Sequence, residues 1–260
     1  MSAVRVIPLQ AGDCLNLAAL TERGAPWRLQ AYPAGFSLLL HPVHGPVLFD
    51  TGYGESVVRA MRRWPGVLYG LVTPVRLHPQ ATARAQLAVM GFAPQDVRHI
   101  IVSHLHADHV GAARLSARHV SSGPRRLRNA AGAARPEGRA PGLSARGPAR
   151  RFRGPCPLVA VPGGAPDLAP FAQVADVFGD SSVWAVPLPG HAPGMVGLLV
   201  PEAQGLSVLA ADAAWSVRAA REARPPHPLA RAAFSTRRRR PPAAPSCARS
   251  CRPVPTPGSM

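Results

Sequence analysis

His104-Leu105-His106-Ala107-Asp108-His109-Val110-Gly111 places three imidazoles and a carboxylate within six residues, directly behind the apolar run Val97–Ser103 (VRHIIVS). A β-branched, apolar run of that kind reads as a buried strand. A loop leaving the strand can point His104 and His106 at one spot, and the turn that follows swings Asp108 and His109 toward a neighbouring one. Imidazole and carboxylate suit zinc, and also iron or manganese, in a compact site. Surface or packing histidines are the competing explanation; four specified positions in so short a span argue against it.

Outward from this motif the chain alternates strands and helices. Val4–Leu9 reads as a strand, and Gly35–His41 with Pro46–Asp50 as a hairpin turning through Pro42 and Gly45. Gly52 and Gly54 mark a tight backbone passage before a helix from about Glu55 to Arg63. A second helical spacing covers Gln80–Met90 and stops at Gly91. Val183–Leu188, Met195–Val200 and Leu206–Ala211 are three further strands. Strands dominate both halves with helices between them, which points to a layered α/β sandwich rather than a parallel doubly wound sheet.

HLHADHVG resembles the HxHxDH signature of the metallo-β-lactamase superfamily. Leu48-Phe49-Asp50-Thr51-Gly52 resembles the LxDTG segment of that family, Gly190-His191 in LPGHAPGMVG its GHTPG ligand segment, and Asp212 in LSVLAADAAW its bridging carboxylate. The likeness covers residues 4–118 and 158–220. It implies a four-layered αββα sandwich with one or two metals at one edge, zinc being expected and iron or manganese possible by the same ligand chemistry. By resemblance His104, His106 and His191 bind the first metal, Asp108 and His109 the second, and Asp212 both. Asp50, Gly52 and Gly190 are supporting residues that position the metal loops. The implied activity is metal-assisted hydrolysis of a small-molecule ester or lactone, with Asp108 orienting the attacking hydroxide and passing its proton to the leaving oxygen.

Within the superfamily the body is most similar to the N-acyl homoserine lactonase branch, on the spacing of His191 to Asp212, the stretch through Trp27 and Tyr32, and the DTGYG variant. Two departures stand out. Lactonases commonly carry DxxY, whose phenol contacts the substrate carbonyl; here that position is Trp215, a substrate-pocket candidate whose indole donates a hydrogen bond but cannot exchange a proton. The second metal of the family also takes one more His near the C-terminus. His227 falls too early and no later His exists, so a weakened second metal is expected. Trp27, Phe36 and Trp215 are candidates for an acyl-chain wall.

Net charge is +17, from thirty basic residues, all Arg, against thirteen acids. That invites a nucleic-acid reading. The charge is concentrated, however. Residues 113–156 hold eleven Arg and one acid, 221–260 hold nine Arg and one acid, and the remaining ten Arg and eleven acids net −1. Ala, Gly, Pro or Arg fill 28 of 37 positions in 121–157 and 16 of 26 in 235–260, so neither segment can bury enough apolar surface to offset its ordering entropy. We expect a hydrolase domain over 1–220, interrupted by a disordered or aberrant segment at 121–157, and a disordered Arg/Pro-rich tail over 221–260. A GC-rich bacterial-type gene read out of frame would yield the same residues at 121–157 and 235–260.

Four unevenly spaced Cys form no disulfide framework, the Cys247/Cys251 pair has no partner pair for zinc, and the longest apolar runs are too short for a bilayer. With no basic region leading into a long apolar run at MSAVRVIPLQ, a cytoplasmic location is expected. Three other functions use features present here: a glyoxalase II-type thioesterase, a nucleic-acid phosphodiesterase, and, in a different class, a non-specific nucleic-acid binder acting through Arg237–Arg240. A catalytically impaired member of the fold is the further alternative.

Overall fold

The computed structural model describes residues 3–113, 115, 119–122, 159–160, 168, 171, 173–228 and 230. Among them, one sheet runs in the order β4 (Val75–Arg76), β1 (Arg5–Leu17), β2 (Leu29–His41), β3 (Gly45–Phe49), β5 (His99–Val102), β6 (His119–Ser122). The other runs β11 (Gly205–Leu209), β10 (Val196–Glu202), β9 (Trp184–Pro187), β8 (Gln173–Asp176), β7 (Val159–Ala160). Neighbours are antiparallel except β3 with β5 and β5 with β6, which are parallel.

Period-two alternation along β2, β3 and β5 decides the layering. Leu38, Leu48 and Ile100 stand side by side in register and pack with Ala83 and Leu87 of helix α4 (Ala83–Val89). On the reverse face Leu39, Val47, Phe49 and Ile101 meet Val183, Leu198 and Val200 from the second sheet. A slip of one residue would exchange the two sets, so both cores hold the same register. Each fully buried side chain of this kind contributes about 1.5–3 kcal/mol. The outer face of the second sheet buries Val174, Trp184, Val186 and Leu199 with Leu168 and Phe171. The sandwich therefore has two β layers, with α4 packed over the first sheet.

Several elements differ from the expected ones. β1 runs on from Leu9 to Leu17 through Gln10, Gly12 and Asp13, where its register with β2 shifts between Gln10 and Asp13. That bulge lets polar residues stay in a strand and bends it toward the loop after β3. Helix α2 (Glu55–Met61) is shorter than expected, and α3 (Gly66–Val72) was not expected, because Pro65, Gly66 and Gly70 interrupt its helical spacing. The segment read as one helix over Gln80–Met90 splits into a 3-10 turn at Pro79–Ala81 and α4, the latter capped by the Thr82 side chain accepting from Ala85 N at 3.3 Å. Helix α1 (Ala18–Thr21) follows β1.

At the C-terminal side, α5 (Val217–Arg221) is capped by Ser216 and held to Glu22 by Arg218 at 2.7 Å. The chain beyond Arg221, expected to begin a disordered tail, continues as packed structure: Arg23 N donates to Pro225 O at 3.0 Å and His227 N to Leu20 O at 3.1 Å. These hydrogen bonds need no large apolar side chains, which is why composition did not signal them. Apart from Ser121 and Ser122 at the end of β6, the 121–157 segment lies outside the described residues, as does all of 235–260 with Arg237–Arg240, Cys247 and Cys251.

Candidate metal centre

Because β3 and β5 are parallel neighbours, the residues following them emerge at the same edge of the sheet. Asp50 follows β3 and Ser103 follows β5, both essentially buried. One Asp50 oxygen accepts from Ser103 N at 2.7 Å; the other accepts from Ser103 Oγ at 2.7 Å and from His109 Nδ1 at 2.8 Å. Thr51 joins the two loops further, its N and Oγ1 both donating to His109 O at 3.0 Å while its Oγ1 accepts from Ala112 N. Gly54 and Gly111 pass each other so closely that a Cβ on either would strike the backbone of the other, and Gly52 is similarly pressed against Ala11. Gly111 N donates to Gly52 O at 3.0 Å across the same passage. The glycines thus permit the Asp50 loop and the His104–Gly111 loop to fit together.

The second sheet supplies the other half. His191 lies in the connection between β9 and β10, after Gly190 at φ +149, a conformation that favours glycine. Val196 N donates to Ser103 O at 3.1 Å and so fastens β10 to the start of the metal loop. Asp212 follows β11 in the 3-10 turn Ala211–Ala213.

Tautomers follow from this network. Ser103 Oγ has one proton, which it donates to Asp50, so at 2.9 Å it accepts from His104 Nδ1–H. The His104 Nε2 lone pair then faces His106 Nδ1 at 3.0 Å, and His191 Nε2 faces that same atom at 2.8 Å. Asp212 Oδ2 stands 3.2 Å from His191 Nε2 and 3.9 Å from His104 Nε2. Imidazole nitrogens and a carboxylate oxygen converging on one point form a cation site. His109 gives Nδ1–H to Asp50, and its buried Nε2 stands 3.4 Å from both Asp108 Oδ2 and Asp212 Oδ1. The two oxygens of Asp212 therefore face two different clusters: His104, His106 and His191 on one side, Asp108 and His109 on the other.

The electrostatics fit a cation. Burial and the neighbouring imidazoles push His104 down to about 2, and burial pushes His191 down to about 4, keeping both lone pairs open. Burial would lower His109 too, but the Asp50, Asp108 and Asp212 groups outweigh it and raise it well above 6.5. A proton is held there by carboxylates equally able to hold a metal. Burial raises Asp212, yet the surrounding imidazoles bring it below the usual carboxylate range.

The structure brings together His104, His106, Asp108, His109, His191 and Asp212, with Asp50, Gly52 and Gly190 in the loops that carry them. His227 does not join either cluster: it packs against Trp27 with ring centroids 6.0 Å apart. No further His joins Asp108, His109 and Asp212 among the described residues. Trp215 packs edge-on against His191 at 5.5 Å, and with Phe36, Tyr53, Tyr69, Asp108 and His191 it lines a cavity of about 460 Å³. Trp27, expected beside Phe36 in an acyl-chain wall, is 67% exposed and does not line that cavity. Ser103, Tyr53 and Tyr69 were not singled out from the sequence; only the Asp50 partnership reveals Ser103, and only the cavity reveals the phenols.

One more cluster has metal-like spacing, His41, His44 and Asp180. His41 Nδ1 accepts from Val43 N at 3.1 Å and His44 N at 3.2 Å, so its proton sits on Nε2, directed to Ser182 Oγ at 2.8 Å and Asp180 at 3.3 Å. A protonated nitrogen offers no lone pair, and this group is a hydrogen-bonded corner.

The sequence profile of the metallo-beta-lactamase superfamily matches residues 34–239. The chain belongs to this superfamily. Its expected fold class stands on that match together with the two-sheet architecture above. An N-acyl homoserine lactonase of Bacillus thuringiensis is 31% identical over 116 residues, 43% of this chain and 44% of that protein. N-acyl homoserine lactonase AttM of Agrobacterium fabrum is 29% identical over 225 residues, 84% of this chain and 79% of its own. The first-named relative is thus matched over less than half its length. A solved N-acyl homoserine lactone hydrolase with N-hexanoyl-L-homoserine bound at its catalytic metal centre superposes with a TM-score of 0.63 at 22% identity, covering 86% of this chain and 81% of that one. B. thuringiensis AiiA with N-decanoyl-L-homoserine bound gives 0.64 at 22%, covering 90% and 86%. At those identities the superpositions speak for the fold.

Proposed function

We propose that this superfamily member is a metal-dependent hydrolase that opens a lactone or simple ester, with zinc as its metal. The observation that carries the proposal is the Asp212 carboxylate divided between two cation-ready clusters at the floor of a cavity with apolar walls. His104, His106, His191 and Asp212 would hold one ion; Asp108, His109 and Asp212 would hold a second, less completely ligated one. Such ions supply Lewis acidity toward a carbonyl oxygen and a hydroxide nucleophile near neutral pH.

The rest falls to the chain. Asp108 lines the cavity, and in this reading it takes up a proton and delivers it to the departing oxygen as the ring or ester opens. Asp50 and Ser103 hold the imidazoles in the tautomers that leave lone pairs inward. Phe36 and Trp215 offer apolar surface to an acyl chain. Trp215 also favours a second reading, a thioesterase: the indole cannot exchange a proton, and a thiolate departs without one.

Elemental analysis of the purified protein, with a panel of lactone, ester, thioester and phosphodiester substrates before and after chelation, tests both readings. Chelator-sensitive opening of the lactone or ester supports the first and thioester turnover alone the second. A protein without bound metal that gains no activity on any of the four when zinc is added defeats both.

A further inference from the structure

Helix α3 packs inside out. Its inner face is Gly66, Tyr69 and Gly70: a Cβ on Gly66 would strike Ala60 O at 2.2 Å, one on Gly70 would touch Met61 O at 3.5 Å, and Tyr69 lines the cavity. The larger aliphatic residues point the other way. Val67, Leu68, Leu71 and Val72 are exposed, the last two at 71% and 73%. They recur at i, i+1, i+4 and i+5, which is one stripe of a helix. Trp64, three residues ahead of Val67, stands at the N-terminal end of the stripe and is 77% exposed. Single exposed apolar residues are ordinary, whereas five gathered on one ridge mark a docking face.

The charge around this stripe selects its occupant. From Ser56 to Gln95 the chain carries five Arg and no acid. Arg59 is paired with Glu55 at 3.2 Å and Arg76 with Asp13 at 2.7 Å. Arg62 and Arg63, exposed beside Trp64, make no ion pair with any of the described residues. Two copies joined through this face would bring like-charged Arg pairs together, and the Arg-rich stretches 113–156 and 221–260 carry the same sign. A protruding ridge of side chains also offers no groove to a peptide. Apolar side chains with a Trp at one end and Arg beside it suit the interface of an anionic bilayer. No helix among the described residues is long and apolar enough to cross a membrane, and the seven residues of α3 would lie along its surface. We propose that Trp64 and α3 dock the protein on anionic phospholipid, the Trp64–Val72 ridge entering the acyl boundary and Arg62 and Arg63 meeting the headgroups. Tyr69 reaches the cavity from the same helix, so docking sets the cavity beside the lipid. Which bond the metal centre opens does not enter the argument.

The test uses the full chain and vesicles of phosphatidylcholine with or without phosphatidylglycerol, their acyl chains brominated near the headgroup end. Bromine quenches only an indole that enters the boundary. The readout therefore separates docking of α3 from attraction of the Arg-rich stretches to the same vesicles. Quenching should appear with phosphatidylglycerol and be far weaker without it. The Trp64 component is the part missing in Trp64→Phe, which keeps an aromatic ring but removes the reporter. Each basic side chain near such a surface is worth roughly 5-fold in partition. Arg62→Ala/Arg63→Ala should therefore lower the ratio of quenched to unquenched Trp64, at one fixed lipid concentration, by about 30-fold. Leu71→Ser/Val72→Ser should lower it by at least about 10-fold. The melting temperature should not change, since both side chains already face water. Sedimentation with anionic vesicles without quenching of Trp64, no binding at all, or Trp64 quenching that either double variant leaves unchanged overturns the proposal. So does a lipid-free dimer that Leu71→Ser/Val72→Ser dissociates, which gives the face to a second copy. A KM for a long-chain lactone or ester that the same variant raises without vesicles overturns it too, by giving the face to the acyl chain of the substrate.

Discussion

Replacing Asp50 by Asn should remove the second metal without touching a ligand. The carboxylate accepts three hydrogen bonds, two on the oxygen shared by Ser103 Oγ and His109 Nδ1 and one from Ser103 N. An Asn side chain has nearly the same shape but only one oxygen. Placing its NH₂ against Ser103 N would set two donors face to face with no way for a backbone amide to turn. The amide must therefore point its NH₂ at Ser103 Oγ and His109. Ser103 can rotate its hydroxyl to accept; His109 can comply only by moving its proton from Nδ1 to Nε2. That proton would then be fixed on Nε2, the atom 3.4 Å from both Asp108 and Asp212 whose lone pair a metal needs. Outer partners of metal-bound imidazoles are worth about 10- to 100-fold in affinity, or about 1.4–2.7 kcal/mol. The second ion, for which His109 is the one imidazole among the described residues of its cluster, should drop by the upper end of that range. The first ion should change less, because His106 and His191 make no contact with Asp50 and Ser103 Oγ can still accept from His104 Nδ1–H. Zinc competition with a chromogenic chelator, with counting of bound ions by elemental analysis, reads both affinities. A variant that folds and holds its second ion within 3-fold (~0.7 kcal/mol) of wild type would refute the tautomer reasoning.

Other outcomes follow from the same geometry. His191→Ala removes an imidazole from the first cluster and should release that ion by several kcal/mol in order of magnitude, seen as loss of stoichiometric metal after dialysis. Gly111→Ala drives a Cβ into Gly54 backbone and should destabilise by roughly 3 kcal/mol or more, measured by urea unfolding; a change below about 1 kcal/mol would show that the loops can part. His41 is held below its ordinary value of 6.5 by burial and by His44. Below that pH the unfolded chain takes up a proton that the folded chain refuses, so its share of stability is present above 6.5 and lost as pH falls. Metal-loaded His41→Gln should therefore show a smaller decline in urea midpoint between pH 7 and 5 than wild type; equal declines would contradict the buried neutral imidazole.

Local chemistry made much of this protein readable from its chain. His104, His106, Asp108 and His109 lie within six residues, so a single strand-to-loop segment dictates their proximity. The alternating runs of β2, β3 and β5 likewise carry both cores in their own order of side chains. Asp50, His191 and Asp212 were legible only through their resemblance to family segments, since nothing local says that a carboxylate 54 residues ahead of His104 sits against it. Tertiary structure alone decided the rest. Parallel pairing of β3 with β5 puts Asp50 beside Ser103 and sets the tautomers of His104 and His109. The fastening of β10 to Ser103 carries His191 to within 2.8 Å of His106 across 85 residues of sequence. The bulge in β1 and the helix α3 escaped the pattern because polar residues and glycines interrupt it, yet α3 delivers Tyr69 to the cavity. Short-range ligand spacing and apolar alternation are written in consecutive residues. Which lone pair faces which carboxylate depends on contacts between segments far apart in the chain, and those exist only once both sheets have packed.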